Sequence, residues 1–285
     1  MSVKPWIFVV CVALSAQVAA DGRQLATGGL MPIEGGAGGG MTPWAVIAGY
    51  GAEDEWGATL AMTWLDTGDY RLGVIGAAIG WRNRIEMSVA QQTLELPTLA
   101  DDLGLAAGTE IRQNIFSAKL RVAGDLVYGN WPQIAVGVQF KSNLTPALPL
   151  SVGAVDDSGV DVYLSATRLW LDGPFGRRLV VNGTLRRSSA NDAGLLGFGG
   201  DRSDSPDWLA EASVGVFLDE DVIVGIEYRQ QTDNLSAAAS DDWTDVFIGF
   251  VPNKQIALAA AWVNLGTVST IPNQKGLYLS IQGSF

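Results

Sequence analysis

Polar and apolar residues alternate along most of this chain, and a period of two is the signature of a strand with one wet and one apolar face. In 133–141, Ile134, Val136, Val138 and Phe140 share one face, while Gln133, Gln139 and Lys141 share the other. The same parity sorts 56–64, where Trp56, Leu60, Met62 and Trp64 oppose Thr59 and Thr63. It also sorts 111–122, where Phe116, Leu120 and Val122 oppose Ser117, Lys119 and Arg121. At 276–285, Leu277, Leu279, Ile281 and Phe285 alternate with Tyr278, Ser280, Gln282 and Ser284. Further strands are predicted at 70–81, 85–94, 160–171, 178–187, 208–218, 222–231, 243–251 and 256–265. Two weaker segments, 24–33 and 44–50, flank a run in which Gly35, Gly36, Gly38, Gly39 and Gly40 surround one alanine. That run lacks the lysine and the strand-to-helix setting of a phosphate-cradling loop, and reads as a sharp small-residue connection.

Composition decides what such strands build. The chain is 48% apolar with a mean hydropathy of +0.20, yet beyond residue 20 it holds no apolar run long enough for a membrane helix. Backbone polar groups in a bilayer must be satisfied internally, so the alternative to helices is a closed barrel. The predicted fold is therefore all-β, an antiparallel outer-membrane barrel, with Lys141 and the glutamines turned inward because lysine on the lipid face is costly. Short and long connections alternate through the second half, as periplasmic turns and extracellular loops do in such barrels. Counting back from a last strand that descends to the periplasm makes 44–50 a descending strand and 24–33 an ascending one, which gives fourteen strands. If the glycine-rich start lies inside instead, the count is twelve. In the fourteen-stranded arrangement 276–285 seals against 24–33. Most tryptophans, including Trp44, Trp56, Trp64, Trp81, Trp131, Trp170, Trp208 and Trp243, fall at or beside predicted strand ends, where an interfacial girdle belongs.

Residues 1–20 read as a cleaved secretory signal, with Lys4 in the charged region, a short apolar core and Val18-Ala19-Ala20 before the cut, leaving 21–285 as one barrel domain. The only cysteine, Cys11, falls within the signal, so the exported chain would carry no thiol. The net charge of −12, one unit more negative without Lys4, argues against nucleic acid as a partner. The expected location is the outer membrane, with lipid and lipopolysaccharide as surroundings.

The chain contains no histidine, which removes the usual base for nucleophilic catalysis and the commonest metal ligand. No enzyme, cofactor or metal site is expected. Parity does turn a set of charges inward near the long-loop ends of their strands: Lys141, Asp161, Arg186, Glu211, Glu227, Arg229 and Asp245. They form either a salt-bridge ladder that stiffens the wall or a charged constriction that sets selectivity in a pore. Acidic loop groups such as Asp156 with Asp157, or Asp241 with Asp242, are either solvated or hold cations that bridge lipopolysaccharide.

The last strand resembles the carboxy-terminal strand by which the barrel-assembly machinery recognises outer-membrane proteins, through Tyr278, Leu279, Ile281 and Phe285. Other strings extend the resemblance: 25–29 with the glycine run, 156–161, 173–177, 194–202 and 233–236. Together they resemble an uncharacterised family of proteobacterial exported proteins, a domain of unknown function numbered 3034, over nearly the whole exported region. That resemblance implies an outer-membrane β-barrel and supplies no activity. The expected function is a small passive, porin-like channel with a mixed-charge lumen. The alternative is a closed barrel with a structural or surface-interaction role. Whether 188–207 enters the lumen, and the oligomeric state, stay open.

Overall fold

The computed structural model describes residues 29–51, 54–102, 104–106 and 108–285. The signal segment 1–20 and the first half of 24–33 lie outside them. Twelve antiparallel strands close into a barrel in sequence order: β1 (Trp56–Asp66), β2 (Arg71–Trp81), β3 (Ile85–Glu95), β4 (Glu110–Ala123), β5 (Gln133–Asn143), β6 (Ser158–Trp170), β7 (Leu179–Ser188), β8 (Asp207–Phe217), β9 (Val222–Arg229), β10 (Trp243–Asn253), β11 (Ile256–Val268) and β12 (Ile271–Ser284). Two short helices, α1 (Pro97–Asp102) and α2 (Ala147–Ser151), sit in connections at one rim.

Alternation sets which side of the wall each residue faces. In β1, Leu60, Met62 and Trp64 are exposed on the outside while Thr59, Ala61, Thr63 and Leu65 are buried. Ile75, Met87, Phe116, Val162, Ile248 and Ile281 continue the outer apolar belt around the barrel. Trp56, Trp81 and Trp170 lie toward one end of this belt, with Trp56 stacked on Trp81 at 5.8 Å, and Trp64 and Trp208 lie toward the other. Trp44 and Trp243 are not part of the girdle, because both are buried inside.

The fourteen-strand count is corrected to twelve. The seam pairs β12 with β1, from Thr59 opposite Ser284 to Asp66 opposite Leu277, so 276–285 does not seal against 24–33. Residues 29–50 form no wall strand. Their backbone makes only isolated bridges, Leu30 with Gly38 and Gly38 with Pro43. The reason is visible in 44–48, where Trp44, Ala45, Val46, Ile47 and Ala48 are all buried, whereas a wall strand would expose every second residue to lipid. No wall edge is left open to it, since β1 and β12 pair with each other.

Twelve strands enclose more space than wall side chains fill, eight being the number at which they suffice. Two segments occupy it. Residues 29–50 enter from the end that carries Phe285, where the Tyr50 N–H donates to the Phe285 carbonyl at 3.3 Å. The 189–200 part of the β7–β8 connection folds in from the opposite, long-loop end and is buried there. At that end β11 and β12 run on to a two-residue turn, so 266–274, between the predicted strands 256–265 and 276–285, is mostly strand rather than a long loop.

Candidate functional site

The lumen segment 29–50 is a plug held by wall side chains. An irregular buried backbone leaves N–H and C=O groups that need partners, and the polar inner faces supply them. Glu86 on β3 accepts from the Ala37 N–H at 3.1 Å and the Ala48 N–H at 2.7 Å. Lys119 on β4 donates to the carbonyls of Ala37 and Val46 at 2.7 and 2.9 Å. Gln133 donates to the Ala45 carbonyl at 2.5 Å, Thr184 to that of Pro43 at 2.8 Å, and Gln92 to that of Ile33 at 2.8 Å. Glu227 accepts four bonds, from the N–H groups of Gly40 and Met41 and the hydroxyls of Thr42 and Ser213, all at 2.7 to 2.8 Å.

Glycine lets the plug fit this closely. A Cβ on Gly39 would lie 1.9 Å from a Glu227 carboxylate oxygen, and one on Gly38 would lie 2.2 Å from the Thr42 carbonyl oxygen. The glycine run is thus a close-approach device rather than a turn between two wall strands.

At the far end of the plug stands Glu34, the single charged residue among 29–50. Its Oε1 bonds Lys141 Nζ and meets Arg229 Nη2 at 2.7 Å, and its Oε2 lies 3.0 Å from Arg186 Nη2. Asp161 joins Lys141 at 2.6 Å and Arg186 at 3.1 Å, and Glu211 meets Arg186 Nε at 2.5 Å. Three cations and three carboxylates are therefore packed together from β5, β6, β7, β8, β9 and the plug, each almost fully buried. Burial alone would raise the Glu34 carboxyl, but Arg186, Arg229 and Lys141 hold it well below the usual carboxylate range.

The seven inward charges expected from parity do not form one uniform ring. Lys141, Asp161, Arg186, Glu211 and Arg229 converge around Glu34, while Glu227 grips the plug backbone. Asp245 sits opposite Glu227 in the β9–β10 register, and no cation is paired with it among the described residues. Parity overlooked Glu86, although the face of β3 made it readable, and left Lys119 out of the set. Glu34 carried one signal, a lone charge in an apolar, glycine-rich stretch.

Above the cluster, residues 189–200 form a cap. The Ala193 carbonyl accepts from Lys141 and Gln113, both at 3.2 Å, and the Leu195 carbonyl accepts from Asn143 at 2.9 Å. Asp192 and Ala193 adopt left-handed φ values of 45° and 59° to deliver those carbonyls, a conformation that non-glycine residues rarely take. The cap answers the open matter of 188–207, since its inner part lies in the lumen.

A closed antiparallel wall with an apolar outer belt, aromatic ends and an interior of mixed polar and apolar side chains filled by its own chain defines a β-barrel of the outer-membrane type. The chain belongs to the family described as "Protein of unknown function (DUF3034)", whose model matches residues 27–282. No curated protein matches it in sequence. Among solved structures it is similar to the outer membrane protein Omp33 of Acinetobacter baumannii, at 9% identity and a TM-score of 0.46, covering 82% of this chain and 100% of that one. It is similar to the KdgM porin at 11% identity and 0.49, covering 80% and 99%. A COG4313 outer membrane channel from Pseudomonas putida F1 matches at 9% identity and 0.46, covering 86% and 97%. Nothing about solute or gating passes from these proteins to this chain at such distances.

Proposed function

We propose that this protein is a porin-like outer-membrane permeation barrel, closed in the conformation described and opened by displacement of residues 29–50. One observation carries the reading: the wall ladder runs unbroken from β1 round to β12 without the plug, which adds no strand and is held mainly by wall side chains, with a backbone bond from Tyr50 to Phe285 at its root. Displacing it therefore breaks no hydrogen bond of the wall ladder and uncovers a lumen lined by charged, polar and apolar side chains. The reading is non-enzymatic, consistent with a chain that has no histidine. It takes 1–20 as a cleaved export signal, the outer belt as the lipid contact and 276–285 as the strand that engages the assembly machinery.

The second reading, a permanently closed barrel, is favoured by the cap that fills the other end. Planar-bilayer recording separates them. Refolded full-length exported chain should be silent or open rarely, and a variant lacking 29–50 should give discrete single-channel steps, larger when 191–198 is also shortened. Heat-modifiable, folded deletion variants that never conduct would establish the closed barrel instead.

A further inference from the structure

We propose that Lys141, Arg186 and Arg229 form a receptor for a small monocarboxylate, and that Glu34 occupies it in the closed barrel as a built-in ligand. The inference rests on the plugged-channel reading and names the solute class that the lumen recognises.

Three features of the site support it. The first is convergence. One carboxylate is met by three cations from β5, β7 and β9, strands that are not neighbours, and Glu34 is the acceptor that all three share. Planar guanidinium groups suit a two-oxygen acceptor better than a spherical halide.

The second is charge balance. With Glu34 present, three cations face Glu34, Asp161 and Glu211. Withdrawal of the plug removes the Glu34 carboxylate and leaves Lys141, Arg186 and Arg229 facing only Asp161 and Glu211, an excess of one cation in the cluster that an incoming anion neutralises. A single negative charge restores neutrality. A dianion would overshoot, with Asp161 and Glu211 fixed beside it.

The third is imperfect fit. Glu34 Oε2 and Arg186 Nη2 lie 3.0 Å apart, yet neither atom completes an aligned hydrogen bond. The glutamate is tethered to the plug backbone and cannot orient freely, whereas an untethered carboxylate can, so it competes with Glu34 for the cluster and favours the displaced plug.

The test removes the tether. Glu34→Ala deletes the atoms of an acetate group, so acetate itself is the probe. Refolded full-length exported chain carrying Glu34→Ala should unfold at lower temperature than the parent. Sodium acetate should raise that midpoint saturably, while sodium chloride at equal ionic strength should not. Adding Arg229→Met should weaken the acetate response at least tenfold. Equal responses to acetate and chloride, or an acetate response unchanged by Arg229→Met, would overturn the proposal. Should Glu34→Ala not refold, the variant lacking 29–50 gives a second measurement: its acetate-to-chloride permeability ratio should fall on Arg229→Met, and no change overturns the proposal. A deletion variant that conducts without acetate preference sinks the receptor and leaves the channel. One that stays silent while acetate stabilises Glu34→Ala sinks the channel and leaves the receptor.

Discussion

Glu86 and Lys119 form an ion pair of 3.1 Å between β3 and β4, and both turn their remaining bonding capacity onto the plug backbone. The pair is buried, with side chains 2% and 1% exposed, so each charge depends on the other and on the plug for solvation. Removing one partner strands the other, which costs about 3–5 kcal/mol in buried pairs, whereas removing both costs less. Lys119→Met should therefore lower the stability of the refolded barrel by that order. Glu86→Gln combined with Lys119→Met should recover part of the loss. Denaturant titration of both variants, followed by heat-modifiable migration, measures the difference. Equal loss in the two would show that the plug contacts, not the pair, set the energy.

Gly80 offers a way to push the plug without touching the wall ladder. A Cβ at this inward position would lie 2.3 Å from the Ala48 carbonyl oxygen, a backbone atom that cannot rotate aside. Overpacking of this kind typically costs about 1–3 kcal/mol, and here the plug, which lies outside the wall ladder, is the partner that yields. Gly80→Ala should raise the frequency of channel openings and expose 29–50 to added protease. Gly183→Ala is the matched control, because nothing lies within 4 Å of its Cβ position. It should stay within about 0.5 kcal/mol of the parent.

The cap carries a pH dependence of its own. Burial pushes the Asp192 carboxyl up from 3.8 to about 7, with Ser240 and the Ser269 backbone pulling weakly the other way. Neither carboxylate oxygen completes an aligned hydrogen bond, so burial outweighs the Ser240 and Ser269 contacts. An acid whose folded-state pKa is raised holds its proton better when folded, so it favours the folded cap below its ordinary pKa. The cap is progressively disfavoured as pH rises from about 4 through about 7, by no more than about 4 kcal/mol. Limited proteolysis within 189–206 should accelerate across that window. Asp192→Asn keeps the shape, tolerates the left-handed φ and removes the titration, so its cleavage rate should be flat with pH.

The sequence reveals the wall far better than what fills it. Parity, with the turns between segments, marks the segments that become the twelve wall strands and turns Lys141, Arg186 and Glu227 inward, although 70–81 is too uniformly apolar for parity to assign its faces. The plug has no such period. Trp44 to Ala48 are apolar on every side because every side is buried, and a short apolar run is then indistinguishable from a strand. Glu34 meets Lys141 across 107 residues and Arg229 across 195, contacts that no local pattern records. The same holds for the seam: 276–285 is legible as a last strand, but its partner depends on which segment begins the wall.

The outer belt makes a last prediction about depth. Ile75 lies midway along β2 and is 63% exposed on the outside, flanked on the same face by Gly73 and Ala77. Those small neighbours give an introduced arginine little surface to lie along on its way to the interface. Trp81, at the end of the same strand and facing the same way, already sits where a polar tip reaches water. A charge on a barrel's lipid face costs about 2–4 kcal/mol at the midplane and about 0–1 near the interfaces. Ile75→Arg should thus destabilise the barrel in phospholipid vesicles by the larger amount and Trp81→Arg by the smaller one, after allowance for the lost Trp56 stacking. In detergent micelles, which deform around a charge, the gap between the two should shrink. Equal costs in vesicles would mean that Ile75 is shielded from lipid, and a partner covering β1, β2 and β3 would then have to be sought.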